Sequence, residues 1–266
     1  MDITAVLYAM LALGGIGTIF GAVLTFADKQ FHVPSDERAE KIRAALPGAN
    51  CGACGFAGCD AYAEAVAEGS AKPSLCTPGG KKCAEEIASV LGVEVDFQES
   101  GRVAKVICQG KKETAKDRYE YNGYQSCRLA ASMGGGPKKC SYACVGLGDC
   151  ARVCAFGAIR IENGLAMVNE EKCAACGVCE SVCPRHVIQM RPKDAAVVVL
   201  CQNRDGAKTA REACAKACIA CGRCVKECQA GAIRLEDGFA KIDPDKCTRG
   251  GECAKVCPGG CITVAK

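Results

Sequence analysis

The sequence predicts an α+β chain: an N-terminal transmembrane helix, a small cysteine-rich domain, then two tandem copies of a second cysteine-rich module. Three observations predict it: an uncharged run from Ile3 to Ala27, 25 cysteines gathered in short runs, and a self-repeat at an offset of 74 residues. The 266 residues allow two or three small domains. A cysteine share this high means a disulfide scaffold or metal ligation. Many of the cysteines lie two or three residues apart in runs of four, and their number is odd, which suits metal ligands better than mutual disulfides. A net charge of only +4, without a lysine/arginine block, argues against a nucleic-acid partner.

The anchor is expected over residues 1–28. Its uncharged helical residues would rise about 37 Å, enough for a hydrocarbon core of roughly 30 Å. A cleaved signal peptide would want a basic start and a shorter apolar run; Asp2 is acidic, and no twin-arginine signal is present. Lys29, Arg38, Lys41 and Arg43 follow the segment while no lysine or arginine precedes it. The expected topology is therefore a single pass through the inner (cytoplasmic) membrane, with the bulk of the chain cytoplasmic. Gly17 and Gly21 form a GxxxG face, which points to an integral-membrane partner.

The repeat places one module at 140–192 and a second at 214–266, joined by a connector at 193–213. Gly157-Ala-Ile-Arg-Ile-Glu-Asn-Gly recurs as Gly231-Ala-Ile-Arg-Leu-Glu-Asp-Gly. Cys140, Cys144, Cys150 and Cys154 map onto Cys214, Cys218, Cys224 and Cys228; Cys173, Cys179 and Cys183 map onto Cys247, Cys253 and Cys257. Two runs read C-x2-C-x2-C-x3-C in full: Cys173-Cys176-Cys179-Cys183 and Cys218-Cys221-Cys224-Cys228. Between the runs, Ala158–Ile161 with Leu165–Val168, and Ala232–Leu235 with Phe239–Ile242, read as β-hairpins. Zinc also binds CxxC pairs, but zinc sites rarely need interleaved runs of four.

Each module resembles a bacterial two-cluster ferredoxin, in which three cysteines of one run and the last cysteine of the other hold a [4Fe–4S] cluster. The resemblance implies one cluster on Cys173, Cys176, Cys179 and Cys154, and one on Cys218, Cys221, Cys224 and Cys257. The other cluster of each module departs from the pattern, because Leu147 and Gly250 stand where the repeat has cysteine. Either these sites hold [3Fe–4S] clusters, or nearby cysteines substitute. The favoured reading is substitution, with Cys140 completing Cys144, Cys150 and Cys183, and Cys261 completing Cys247, Cys253 and Cys228.

Residues 29–92 hold a further constellation, Cys51-x2-Cys54-x4-Cys59-x16-Cys76, set among Gly48, Gly52, Gly55 and Gly58. Helices are expected over 60–68 and 84–91, and Cys83 is expected to be a buried free thiol. This stretch resembles the single-cluster [4Fe–4S] domain shared by corrinoid iron–sulfur proteins and the B subunits of Rnf complexes. Anchor, single-cluster domain and ferredoxin modules in this order resemble the Rnf B subunit over nearly the whole chain. That family implies electron transfer within a ferredoxin:NAD⁺ oxidoreductase coupled to Na⁺ or H⁺ translocation. Soluble ferredoxin is the implied donor, and integral-membrane and flavin-bearing subunits of the same complex are the implied partners. No glycine fingerprint for NAD or flavin follows a strand here, and no catalytic residue is expected. The alternative is an electron-transfer subunit of another membrane oxidoreductase, such as a hydrogenase. Lys138, Lys139, Arg204, Lys208, Arg211, Lys216, Arg223 and Lys226 are candidates for docking an acidic ferredoxin. In the linker at 93–139 and the connector, Val-Ile-Cys108-Gln and Val-Leu-Cys201-Gln each end an apolar strand. With five clusters assigned, Cys108, Cys127, Cys201 and Cys214 are left for a sixth.

Overall fold

The computed structural model describes residues 3–31, 36–97 and 101–264; Asp2 lies outside them. Helix α1 (Ile3–Phe31) extends the uncharged run by a turn. Within it Met10–Ala27 has a mean hydropathy of 1.9, and none of that stretch is buried against the rest of the chain. A helix apolar on every side, with Met10, Leu13, Phe20 and Leu24 all exposed, is long and apolar enough to cross a membrane. Two of its hydroxyls are satisfied within the helix: Thr18 donates to the Gly14 carbonyl at 3.0 Å and Thr25 to that of Gly21 at 2.8 Å.

Three helices follow: α2 (Glu37–Ala45), α3 (Cys59–Ala67) and α4 (Gly80–Leu91). They close on Ile42, Tyr62, Val66 and Ile87, each no more than 1% exposed. Asp36 caps α2 through the Arg38 N–H, and Gly92 ends α4 in the left-handed region at φ 66°. Helix α4 begins four residues earlier than its composition suggests. Helix α2 escapes sequence reading because it buries only Ala39 and Ile42, too few positions to print a periodic stripe.

The modules begin with strand β1 (Arg102–Val106), then the short helix α5 (Cys127–Ser132). The first module continues as α6 (Asp149–Arg152), β2 (Ile159–Glu162), β3 (Leu165–Val168), α7 (Val178–Val182) and β4 (Ile188–Pro192). Strand β5 (Val197–Val199) and helix α8 (Ala207–Ala213) lead into the second: α9 (Arg223–Glu227), β6 (Ile233–Glu236), β7 (Phe239–Ile242), α10 (Glu252–Lys255) and β8 (Ile262–Val264). Both expected hairpins form, β2 with β3 and β6 with β7, their first strands shifted by one residue. Their two-residue turns, Asn163-Gly164 and Asp237-Gly238, have positive φ at both positions, which matches the twist of the strands they join.

The stretches read as linker and connector each contribute a strand to the module that follows. β1 pairs antiparallel with β4, and β5 with β8. The equivalence extends past the strands, where Ile107 N–H donates to Val187 O at 2.6 Å and Leu200 N–H to Cys261 O at 2.7 Å. Residues 114–116 run between the modules. Ala215 N–H donates to Thr114 O and Lys116 N–H to Ala213 O, both at 2.9 Å, while Lys139 N–H donates to Lys116 O at 2.7 Å. Each module's core is small and partly sulfur: Cys144, Cys150, Cys179 and Cys183 pack among Ile159, Leu165, Val187 and Ile188.

Candidate iron–sulfur sites

Four loops of one shape present the module cysteines. Gly148, Gly177, Gly222 and Gly251 cap α6, α7, α9 and α10 in the left-handed conformation, with φ between 73° and 86°. Each lies two residues before a buried cysteine: Cys150, Cys179, Cys224 and Cys253. Two residues before each glycine the backbone is again left-handed, at Gly146, Ala175, Ala220 and Arg249. Positive φ at alanine and arginine is costly, so the loops are held against their own preference. Such alternation turns successive N–H groups inward and makes a concave pocket for an anion. Leu147 and Gly250 occupy the position that Cys176 and Cys221 hold in the other two loops, so the vacancies lie in loops of unaltered shape.

The regular sets come together. Burial pushes the Cys179 thiol up to about 12, and the neighbouring charges of Cys176, Cys173 and Cys154 add to it. Burial likewise raises Cys224 to about 11, with Cys218, Cys257 and Cys221 beside it. Repeat-equivalent backbone donors face the sulfurs: Ala158 N–H to Cys154 Sγ and Ala232 N–H to Cys228 Sγ, both at 3.3 Å. Clustered thiols with N–H donors on tight loops are the donor chemistry of iron–sulfur clusters, which need thiolate ligands and hydrogen bonds to sulfur.

The extra cysteines are placed differently from the sequence expectation. Cys127 stands at the first position of α5, packed with Val145 and beside Leu147. Its charge, with those of Cys144 and Cys183, reinforces the burial that lifts Cys150 to about 12. Asp149 fixes it there, accepting from the Ser126 hydroxyl at 3.1 Å and the Arg128 N–H at 3.0 Å. Cys140 instead packs against Cys108 and Ala213. Cys261 is 1% exposed and lies 3.5 Å from Cys257. It donates its S–H to Cys218, and that bond holds the Cys218 thiol down at about 6. Beside Cys253 stand Cys228 and Cys247.

In the helical domain, Cys59 N–H donates to Asn50 Oδ1 at 2.8 Å. Tyr62 is raised to about 12, first by its burial, while the charges of Cys76, Cys54 and Cys83 on the same side add to it. Cys83 is buried as expected and is not remote: it donates a hydrogen bond that lowers Cys76 to about 7. Burial raises Cys176, and the charge of Cys51 from the helical domain adds to it. Among the candidate docking cations, Lys138 is corrected. It is 6% exposed, with Nζ donating to the Gly110 and Gly164 carbonyls, so it offers no surface charge. The other seven are exposed.

Cysteine loops of this shape on paired hairpins, next to a helical cysteine domain, define a multi-cluster iron–sulfur protein. Comparison with known families agrees. An Fe-S cluster domain matches residues 46–78, a 4Fe-4S binding domain matches 166–189, and a 4Fe-4S dicluster domain matches 217–261. The chain is 47% identical over 262 residues to the B subunit of the Na(+)-translocating ferredoxin:NAD(+) oxidoreductase complex of Acetobacterium woodii, covering 98% of this chain and 78% of that one. It is 39% identical to the B subunit of the ion-translocating oxidoreductase complex of Methanosarcina acetivorans, over 92% of this chain and 93% of that one. With the B subunit of the proton-translocating ferredoxin:NAD(+) oxidoreductase complex of Clostridium ljungdahlii it shares 38% identity, over 93% and 88% of the two chains. The chain belongs to this family, the B subunits of Rnf-type ion-translocating oxidoreductase complexes.

Proposed function

We propose that this chain takes electrons singly from a soluble ferredoxin at its second module and passes them toward its N-terminal domain, within a membrane-bound ferredoxin:NAD⁺ oxidoreductase. A bound [4Fe–4S] cluster supplies reversible storage of one electron, so each electron gained oxidises the donor by one. The chain's residues supply access, order and potential. The observation that carries the reading is Cys221, which is exposed while every other cysteine is buried or half-buried. Arg223, Lys226 and Lys216 surround it in sequence and are exposed as well. An exposed thiol with exposed cations close to it in sequence suits brief contact with an acidic one-electron carrier. At the other end, the charge of Cys51 acting on Cys176 links the first module to the domain next to α1. The names of the relatives support the complex and its reaction. Flavin and NAD chemistry then belongs to other subunits, and Lys29, Arg38, Lys41 and Arg43 favour a cytoplasmic location for the modules.

The test is stopped-flow reduction of the iron-loaded full chain in detergent. Reduced ferredoxin is expected to reduce it rapidly, more slowly as salt rises, and about tenfold more slowly in Arg223→Glu/Lys226→Glu at low salt. NADH alone is expected to do nothing. Fast reduction by NADH without a flavoprotein, or stoichiometric zinc in place of iron, would overturn the reading.

A further inference from the structure

The two modules meet at four thiols that arrive in two equivalent pairs. Cys108 follows β1 by two residues and Cys201 follows β5 by two, each at the end of the strand its module borrows. Cys140 and Cys214 are equivalent in the 74-residue repeat, each four residues before the next module cysteine. The local hydrogen bonds repeat too. Cys144 N–H donates to Cys108 Sγ at 3.5 Å, and the equivalent Cys218 N–H donates to Cys201 Sγ at 3.2 Å. Gly110 N–H also donates to Cys108 Sγ, at 3.3 Å. Across the junction Asn203, itself 1% exposed, donates Nδ2 to Cys140 Sγ at 3.2 Å.

We propose that Cys108, Cys140, Cys201 and Cys214 together ligate an iron–sulfur cluster at the junction, two thiols from each module. Cys140 packs against Cys108 and against Ala213, the residue before Cys214, while Asn203, two residues after Cys201, reaches the Cys140 sulfur. Three backbone N–H bonds to two of the sulfurs and a buried amide on a third are what a cluster's electron-rich ligands require, and what four idle thiols do not. Lys138 supplies an independent argument. It is a buried cation that appears in no ion pair among the described residues, and its Nζ donates to the carbonyl of Gly110, whose own N–H reaches Cys108 Sγ. A buried ammonium without a counter-anion is costly, and four thiolates around iron provide net negative charge beside it. The assignment moves Cys140 out of the Cys144 set and Cys127 into it, at the Leu147 vacancy.

The experiment uses the full chain, loaded anaerobically, with iron, sulfide and EPR of the reduced and oxidised forms. Cys108→Ser/Cys201→Ser is expected to lose about four irons and four sulfides per chain. Cys127→Ser is expected to leave the junction alone and produce a [3Fe–4S]-type signal from the Cys144 set. Unchanged iron in the double variant overturns the proposal. Asn203→Leu keeps every thiol and tests the site even if the double variant fails to fold. It is expected to shift one midpoint potential with iron content unchanged, and an unaltered redox titration overturns the proposal. These readouts are independent of the electron donor, so they stand or fall separately from the ferredoxin reading.

Discussion

At the scale of single residues, closeness in sequence misleads. Cys140 lies four residues from Cys144, yet its thiol turns toward Cys108, while Cys127, much farther back, is folded onto the Leu147 loop by Asp149. Burial works to raise Asp149, but N–H donors from Arg128 and Cys127, the Ser126 hydroxyl and Arg152 outweigh it and hold the carboxylate below its usual range. No cysteine count reveals that side-chain cap. The repeat contains one usable signal: Cys140 aligns with Cys214, which fits the proposed junction, where each module gives one of the pair. Cys261 gives a similar lesson, because its repeat equivalent is Val187, a core residue. Its thiol occupies a valine's place and touches Cys218 and Cys257. Cys261→Ala is therefore expected to retain all iron and to lower the potential of the Cys218 set by about 20–60 mV, the worth of one lost hydrogen bond to sulfur. Iron assay with a redox titration checks it. Loss of iron would instead return Cys261 to the Cys247 and Cys253 set.

At the scale of elements, the hairpins were legible because Asn-Gly and Asp-Gly turns bounded by alternating apolar residues carry their own instructions. The pairings of β1 with β4 and β5 with β8 were not, since they join residues 82–90 and 63–67 positions apart and no local rule reaches so far. The capping loops sit between these cases. Their glycines are visible in sequence, but the left-handed backbone at Ala175 and Ala220 is imposed by the loop. Gly222 shows what the conformation costs. A Cβ there meets only Leu235, at 3.9 Å, so Gly222→Ala leaves packing intact and adds strain at φ +73°. The substitution is expected to destabilise the second module by about 1–2 kcal/mol. An anaerobic thermal melt of the iron-loaded chain measures this, and an unchanged midpoint would show that the loop carries no such strain.

At the scale of the whole molecule, the parts differ in what holds them together. The helical domain has a core of Ile42, Tyr62, Val66 and Ile87. The modules have short two-stranded sheets and cores in which cysteines take a large share. Two-stranded sheets are marginal alone, and small metallo-domains draw folding free energy from the metal. Removing iron with a chelator under reducing conditions is expected to abolish amide-exchange protection in β2–β3 and β6–β7. Helices α2 and α4 should keep more of theirs. Equal protection in both regions after iron removal would refute this division. The coarse order was readable from the sequence, an apolar helix, then an Fe-S domain, then 4Fe-4S domains, because composition and repeat are global signals. Of the junction's thiols the sequence singles out Cys108, Cys201 and Cys214 as spare but not Cys140, whose packing against Cys108 exists only in the folded chain.

The 74-residue offset between equivalent cysteines also sets a timetable for synthesis. Cys140 leaves the ribosome roughly 4–15 s before Cys214 at about 5–20 residues per second. Through that interval half of the junction is a pair of thiols awaiting counterparts that have not been translated. The first module can close once β4 has emerged, but the junction must wait for the second. Iron delivery there belongs to the end of translation, and a ribosome stalled between the modules would leave Cys108 and Cys140 open to oxygen.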